Sequence, residues 1–425
     1  MRDKRSERGI LVGVRLEDRT HEEVEEFLEE LERLADTAGV ITVGRVIQSR
    51  SRPDPAYFIG RGKVEEIAQM VEELEADMVI FDDELSPAQT RNLEEALRVK
   101  VIDRTILILD IFAQRARTKE AKLEVELAQL QYMMPRLVRQ WSHLSRIVGA
   151  GPGRGIGGVG ARGPGETQLQ LDRRLIRLRI SQLKRELMEV ERRRHIQRVG
   201  RGDIFSAALV GYTNAGKSTL LNKLADEHLF TEDKLFATLD PTTRLVRLPG
   251  KRRMLITDTV GFIRKLPHQL IASFKATLEE VTEADLLIHV VDASHPQARK
   301  QIDAVMEVLG ELGAEDKPML MVFNKIDMIE DRSQLDLLRI EFPEGVEISA
   351  LKGRGLEELK GRLADEMARS EITLNLKLSY ADGKIINYVH EHGTVLKSEY
   401  SENHVFLRAR MARSEAMKLR RFARR

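Results

Sequence analysis

The sequence contains no cysteine. That excludes a disulfide framework, a thiol nucleophile and any cysteine-ligated zinc or iron–sulfur centre. Long hydrophobic runs are also missing. Those present, such as Leu286–Val291 with His289 inside it, are strand-sized, far short of the roughly 20 residues a membrane-spanning helix needs. Residues 1–9 are mostly charged and hold no apolar stretch, so no signal peptide is expected. The expected location is the cytoplasm, without stable membrane insertion. Nor does either charge dominate: 69 Lys and Arg stand against 68 Asp and Glu. A uniformly basic nucleic-acid coat is thereby excluded, while local asymmetry is not.

What remains is a globular composition, with 42% hydrophobic and 32% charged residues over 425 positions. That length corresponds to about three domains at ~150 residues each. Residues 1–112 alternate short apolar runs with amphipathic stretches. Strands are expected at Ile10–Leu16, Val40–Ile47, Met78–Phe81 and Lys100–Ile102, with helices over 21–38, 61–75 and 86–97. Such alternation implies βαβ units around a largely parallel sheet. The segment Phe58–Lys63 is glycine-rich but lacks the phosphate-loop spacing; a turn before a helix is the better reading.

Residues 113–202 change character. Leu123, Leu127, Leu130 and Met134 recur at helical spacing within 118–147, a stretch without glycine whose only proline is Pro135. A second helical stretch, 167–200, carries Leu169, Leu175, Leu178, Leu183 and Leu187 among dense charges. Between them, 149–165 is too rich in Gly and Pro to hold a helix or bury a core. Two helices joined by such a loop form a hairpin. From Arg136 to Gly202 sixteen cations, fifteen of them Arg, face five carboxylates, a net charge of +11. Arginine forks suit bidentate phosphate contact, so the hairpin is read as a nucleic-acid surface, with Arg154, Arg162, Arg173, Arg174 and Arg177 as candidates.

Strand–helix alternation returns over 203–369. Gly211-Tyr212-Thr213-Asn214-Ala215-Gly216-Lys217-Ser218-Thr219 follows the apolar run Ala207–Val210 and opens an amphipathic helix, the context a phosphate-binding loop requires. Backbone N–H groups at the helix N-terminus would cradle phosphates. Lys217 would neutralise the β- and γ-phosphates, and Ser218 would ligate Mg²⁺. Asn324-Lys325-Ile326-Asp327 stands at the end of the apolar run 318–323. The carboxylate of Asp327 can accept from both N1–H and the exocyclic amine of guanine, whereas adenine would leave it unpaired. Asn324 would face the other edge of the base, Lys325 would lie along its plane, and Ser349-Ala350 would offer a backbone N–H to the guanine oxygen.

Asp258-Thr259-Val260-Gly261 gives a second switch, with Asp258 holding Mg²⁺ through water and the Gly261 N–H sensing the γ-phosphate. Phe236-Ala237-Thr238-Leu239-Asp240 occupies the place of a first switch. Thr238 is the choice for the Mg²⁺-contacting hydroxyl, with Thr242 and Thr243 as chemical competitors. Four elements in this order define a GTPase domain that binds GTP and GDP. Where many GTPases carry a water-orienting glutamine after the second switch, this chain has Phe262, so intrinsic hydrolysis is expected to be slow. The Asn214 amide either helps bind a monovalent cation such as K⁺ or stabilises the loop by local hydrogen bonds. Residues 370–425 form a small α+β module without readable chemistry, expected as strand 372–380, helix 384–391, two strands and a basic helix. The expected fold is thus an α/β multidomain chain: an α/β domain, a helical hairpin, a P-loop GTPase domain and this module.

These residues resemble the HflX family of ribosome-associated GTPases. The resemblance rests on the phosphate loop at 211–218, Phe236–Thr242 and Asp258–Phe262. It extends to Asp103-Arg104-Thr105, Ile108–Phe112, Arg115-Ala116, Glu126–Leu130 and Gly163–Gln168, and covers roughly 10 to 370. It implies binding to the large ribosomal subunit and ribosomal RNA, and GTP-dependent splitting of stalled or stressed ribosomes. The hairpin tip would then reach RNA near the peptidyl-transferase region, and the ribosome would stimulate a GTPase that lacks its own glutamine. A GTP-gated RNA-binding or ribosome-assembly chaperone is the alternative, with hydrolysis only a timer. A peripheral membrane anchor is a third reading, weakened because Tyr132 and Trp141 are the hairpin's only interfacial aromatics. Nothing in the sequence demands more than a monomer.

Overall fold

The computed structural model describes residues 6–136, 168–199, 204–225, 235, 236, 238–265, 275–401, 403–412, 416, 419 and 422. The chain divides into two compact units. The first holds 1–192 with 232–240 and 265–277; the second holds 193–231, 241–264 and 278–425.

In the first unit, β1 (Glu7–Arg15), β2 (Val40–Ser49), β3 (Met78–Phe81) and β4 (Lys100–Asp103) form a four-stranded sheet in the order β2-β1-β3-β4. Every pairing is parallel. Strand β1 is apolar on both sides because both are covered. Ile10, Val12 and Val14 share a core with Val64, Ile67, Val71, Leu93 and Leu97 of the helices Arg61–Glu73 and Pro87–Leu97. On the opposite side, Gly13 lies so close to helix His21–Ala38 that a Cβ would meet Val24 at 2.9 Å. Local signals end the elements where expected. Thr20 and Glu23 form a capping box, and Gly39 closes the same helix at φ 87°. Gly60 caps the next helix, so Phe58–Lys63 is the turn before a helix that its spacing suggests.

The Asp103-Arg104-Thr105 run has a structural explanation. Asp103 caps helix Arg104–Arg115 by accepting from Ile106 N at 3.0 Å; it also accepts from Leu85 N at 3.2 Å and the Tyr132 hydroxyl at 2.5 Å. Burial pushes its pKa up despite these donors. Arg104 pairs with Asp82 at 2.8 Å and with Glu30, so two buried carboxylates meet one buried guanidinium.

Of the expected first hairpin helix, 118–147, residues 137–147 lie outside the described residues. The helix runs Lys119–Met133 and then tightens into a 3₁₀ turn, Met134–Arg136, at Pro135, which has no N–H to continue the ladder. The second runs Gln168–Val199. The two pack through Leu123, Leu127, Leu130, Ile176, Leu183 and Leu187, fastened by a bidentate Arg179–Glu126 pair at 2.6 and 2.7 Å. Leu175 and Leu178 lie outside that seam, about 60% exposed. The buried stripe instead steps through Ile176, Ile180, Leu183 and Leu187, one face of a 3.6-residue period. The Gly-rich loop 149–165, with Arg154 and Arg162, lies outside the described residues.

The second unit is built on a six-stranded sheet ordered β10-β9-β8-β5-β7-β6. Its strands are β5 (Ser206–Val210), β6 (Thr242–Leu248), β7 (Arg252–Asp258), β8 (Leu286–Asp292), β9 (Met319–Asn324) and β10 (Val346–Glu347). All pairs are parallel except β6 with β7. One side carries Leu209, Ile256, Ile288 and Val322; the other packs Val291 and Phe323 on Ala298 and Ile302. A three-stranded antiparallel sheet follows, ordered β11-β13-β12, from Glu371–Ser379, His404–Ala412 and Gly393–Tyr400 respectively, with helix Gly383–His392 on one face. The expected basic helix at the chain's end falls largely outside the described residues. Among the described residues no helix is long and apolar enough to cross a membrane.

His289 sits fully buried in β8, and burial, reinforced by Lys217, lowers its pKa to about 3. Its folded pKa lies below the unfolded value of about 6.5. The unfolded chain therefore binds this proton first, and stability falls as pH drops below 6.5. By pH 5 the loss from this one group should reach about 2 kcal/mol. Denaturant unfolding of the parent and of His289→Leu at pH 7 and 5 should show the pH-dependent loss shrinking by that amount in the variant.

Candidate functional site

Three parallel strands end in polar residues on one edge of the second sheet: β7 in Asp258, β8 in Asp292 and β9 in Asn324. The crevice beyond the carboxyl ends of such strands is where α/β sheets take ligands. The loop after β5 fills its centre and leads into helix Lys217–Leu224. Gly211 takes φ 148°, and a Cβ there would lie 2.2 Å from the carbonyl oxygen of Val290; Gly216, at φ 92°, would put one 2.3 Å from the Asn324 amide nitrogen. Only glycine satisfies both the dihedral and the approach. Asn214 stands at φ 60°, exposed, and its amide makes no hydrogen bond among the described residues.

Lys217 is buried, and its ammonium donates to the carbonyls of Gly211 at 3.0 Å and Tyr212 at 2.7 Å. Burial pulls its pKa down to about 8, partly opposed by Asp258. The group is still cationic at neutral pH, and its incomplete solvation favours a phosphate partner. Ser218 Oγ donates to Asp258 Oδ2 at 2.6 Å. A hydroxyl and a carboxylate oxygen side by side are a donor set that fits Mg²⁺. Asp258 is itself buried, and the following Thr259 anchors to the Leu209 carbonyl at 2.6 Å. A Cβ on Gly261 would approach Thr213 Cα at 2.8 Å and Lys217 Nζ at 3.0 Å, so the second switch abuts the phosphate loop at that glycine. Thr213 N donates to Phe262 O at 2.8 Å and Phe262 N to Gly211 O at 3.1 Å. Phe262 and Val260 are both buried.

On the base side, the Asn324 amide donates to Ala215 O at 2.8 Å and accepts from Ala350 N at 2.9 Å. It thereby holds the phosphate loop to the 349–350 segment. The Ala350 N–H is spent on this bond, and Ser349 N donates to Arg354 O at 3.1 Å. The N–H expected to serve a guanine oxygen is thus already engaged at both positions. Lys325 lies at φ 64° and pairs with Asp292 at 2.7 Å. Asp292, absent from the motifs, is positioned in turn by the N–H and hydroxyl of Ser294. Its signal was its place, at a strand end directly opposite Asn324. A hydrogen bond from the Ser349 hydroxyl holds Asp327 below the ordinary carboxylate range, so Asp327 stands ionised as a double acceptor.

The first-switch residues pack in the first unit. Leu235, Phe236 and Leu239 are buried, and Phe236 meets Phe112 edge-on at 4.7 Å between ring centres. Asp240 accepts from Arg117 N at 2.9 Å, from Thr118 N at 3.3 Å and from the Thr118 hydroxyl, at the start of helix Lys119–Met133. Thr238 lies in the same segment; Ala237 falls outside the described residues. Lys265, just past the second switch, pairs with Asp82 and with Asp83 at 2.9 Å, and lies over the Phe27 ring. Burial alone would raise Asp83, but Lys265 and Arg19 overcome it and hold the carboxyl below its usual range. Of the hairpin candidates, Arg174 and Arg177 are exposed and Arg173 half-buried.

Three family models match in sequence: a GTP-binding GTPase N-terminal region over 25–113, a GTP-binding GTPase middle region over 115–201, and a 50S ribosome-binding GTPase domain over 206–325. GTPase HflX of Lacrimispora saccharolytica is 50% identical over 405 residues, covering 95% of this chain and 93% of that protein. GTPase HflX of Escherichia coli K12 is 44% identical over 409 residues, with 95% and 93% covered. Among solved structures, a GTP-binding protein from Sulfolobus solfataricus in complex with GDP is 26% identical, covering 85% of this chain and 98% of that one at a TM-score of 0.45.

Asp327→Asn replaces one acceptor by a donor, matching the C2 carbonyl of xanthine in place of the guanine amine. GTP affinity should fall at least 100-fold while affinity for xanthosine triphosphate rises, as read by competitive nucleotide binding. Asn324→Ala should weaken GTP binding at least tenfold, since it leaves the Ala215 carbonyl and the Ala350 N–H without their partner; calorimetric titration gives that number directly.

Proposed function

Because the chain belongs to the HflX family of GTPases, we propose that it binds the large ribosomal subunit and uses the GTP cycle to split stalled or stressed ribosomes in the cytoplasm. The observation that carries this reading is Phe262. It follows the second-switch glycine and is fully enclosed, bonded through its backbone to Gly211 and Thr213. Neither it nor Val260 has a group that can orient water or accept a proton. A hydrolase built this way depends on an outside surface for the missing contribution. The arginine-rich hairpin supports an RNA surface as that outside agent.

In this reading the loop 211–216 receives the phosphates on backbone N–H groups, and Lys217 exchanges its carbonyl partners for β- and γ-phosphate oxygens. Ser218 and Asp258 would hold Mg²⁺, and the ion would neutralise developing phosphate charge. The Gly261 N–H reads the γ-phosphate, while Asp327 selects guanine. The exposed Asn214 would offer its amide to K⁺. Loss of the γ-phosphate releases both switches and lowers affinity for the ribosome.

GTP turnover should rise many-fold with large ribosomal subunits, and the rise should vanish in Lys217→Ala. Turnover that subunits leave unchanged would overturn the ribosomal reading. Intact 70S particles that stay whole in sedimentation while precursor subunits bind would replace splitting by an assembly role. Arg173, Arg174 and Arg177→Ala together should weaken ribosome binding and reduce the dependence of log K on log salt by about 2.

A further inference from the structure

We propose that the open face of the antiparallel sheet β11-β13-β12 is a second RNA-binding surface, one that takes a single strand along β13. It goes beyond the ribosomal reading above and does not rest on it.

One side of this sheet is closed. Leu376, Leu378, Leu407, Ala409 and Met411 form a core with Val389 of helix Gly383–His392. The alternate residues therefore form the other side. Along the central strand these are Phe406, Arg408 and Arg410, three successive positions of one face over ~14 Å. Each has polar or charged neighbours directly across. Arg408 stands between Asn375 and Lys397, Arg410 between Thr373 and Thr394, and Phe406 between Lys377 and Glu399.

The charges on this face are one-sided. Glu371 is engaged by Arg252 at 2.9 Å and Glu399 by Lys397 at 2.5 Å. Lys377, Arg408 and Arg410 make no ion pair among the described residues, and Lys377 and Arg408 are exposed. Lys377 sits 5.9 Å from the Phe406 ring centre. Three cations that make no ion pair among the described residues call for a polyanion. An aromatic ring in line with two guanidiniums suits alternating bases and phosphates, and the flanking amide and hydroxyls suit base edges and 2′-hydroxyls. An anionic lipid surface would ask for several apolar side chains to insert, and the outward positions of β13 offer one ring. Residues 413–425 continue the bias in sequence, with six cations against Glu415.

Full-length protein is titrated against a fluorescein-labelled 12-nucleotide oligouridylate at several salt concentrations, read by anisotropy. Lys377→Ala/Arg408→Ala/Arg410→Ala should bind at least tenfold more weakly. The slope of log K on log salt should fall by about 2, near 0.7 per lost phosphate contact on a single strand. Phe406→Leu should lose affinity with the slope unchanged. Affinity and slope equal to the parent's overturn the proposal. So does a triple variant that keeps RNA binding but no longer pellets with phosphatidylserine vesicles, which would make the face a lipid surface. If the triple variant does not fold, photocrosslinking of a 4-thiouridine oligomer to the unaltered protein decides. Crosslinked peptides within 371–412 support the proposal, and crosslinks confined elsewhere end it. Arg173, Arg174 and Arg177 are intact throughout and the probe is free RNA, so failure here is separate from failure of ribosomal stimulation.

Discussion

The nucleotide site hangs on one amide. Asn324 bonds Ala215, 109 residues before it, and Ala350, 26 residues after it. Both partners are backbone groups buried away from water, where an unmade hydrogen bond is expensive. The glycine at 216 is dictated by the same side chain, whose nitrogen occupies the space a Cβ would need. Phosphate loop and base loop are thereby held in one geometry by a short, rigid donor–acceptor pair. Aspartate would lack the donor and leucine would lack both groups.

Around this tie the sheet supplies position and burial supplies electrostatics. Asp258, Asp292 and Asn324 share an edge because parallel strands place their carboxyl ends together. Lys217 is drawn toward neutrality by burial yet kept charged at neutral pH. Two loop carbonyls hold its ammonium in place. His289, on the same strand as Asp292, stays neutral in that field.

Much of this was legible in the residues. The four nucleotide motifs, the parallel β1–β4 sheet and the seam of Leu123, Leu127 and Leu130 follow from spacing and alternation, which report local periodicity and strand ends. What stayed hidden needed the third dimension. Asp292 belongs to no motif and acts only because β8 lies beside β9. The exposure of Leu175 and Leu178 reflects a choice between two overlapping leucine stripes that only the partner helix makes. The engagement of Ser349 and Ala350 N–H groups is a matter of backbone closure, invisible to side-chain pattern. The charged face of β13 was likewise masked, because alternation with Leu407, Ala409 and Met411 reads simply as an amphipathic strand.

Asp240 has a further consequence. Its carboxylate is the acceptor for the backbone N–H groups of Arg117 and Thr118, and the Thr118 hydroxyl that also binds it caps the following helix at Ala121. Helix Lys119–Met133 therefore starts on a residue borrowed from more than a hundred positions away. When the segment around Asp240 leaves, those amides face water and the first turn frays. Solvent hydrogen exchange at residues 117–121 then becomes a clock for the first switch.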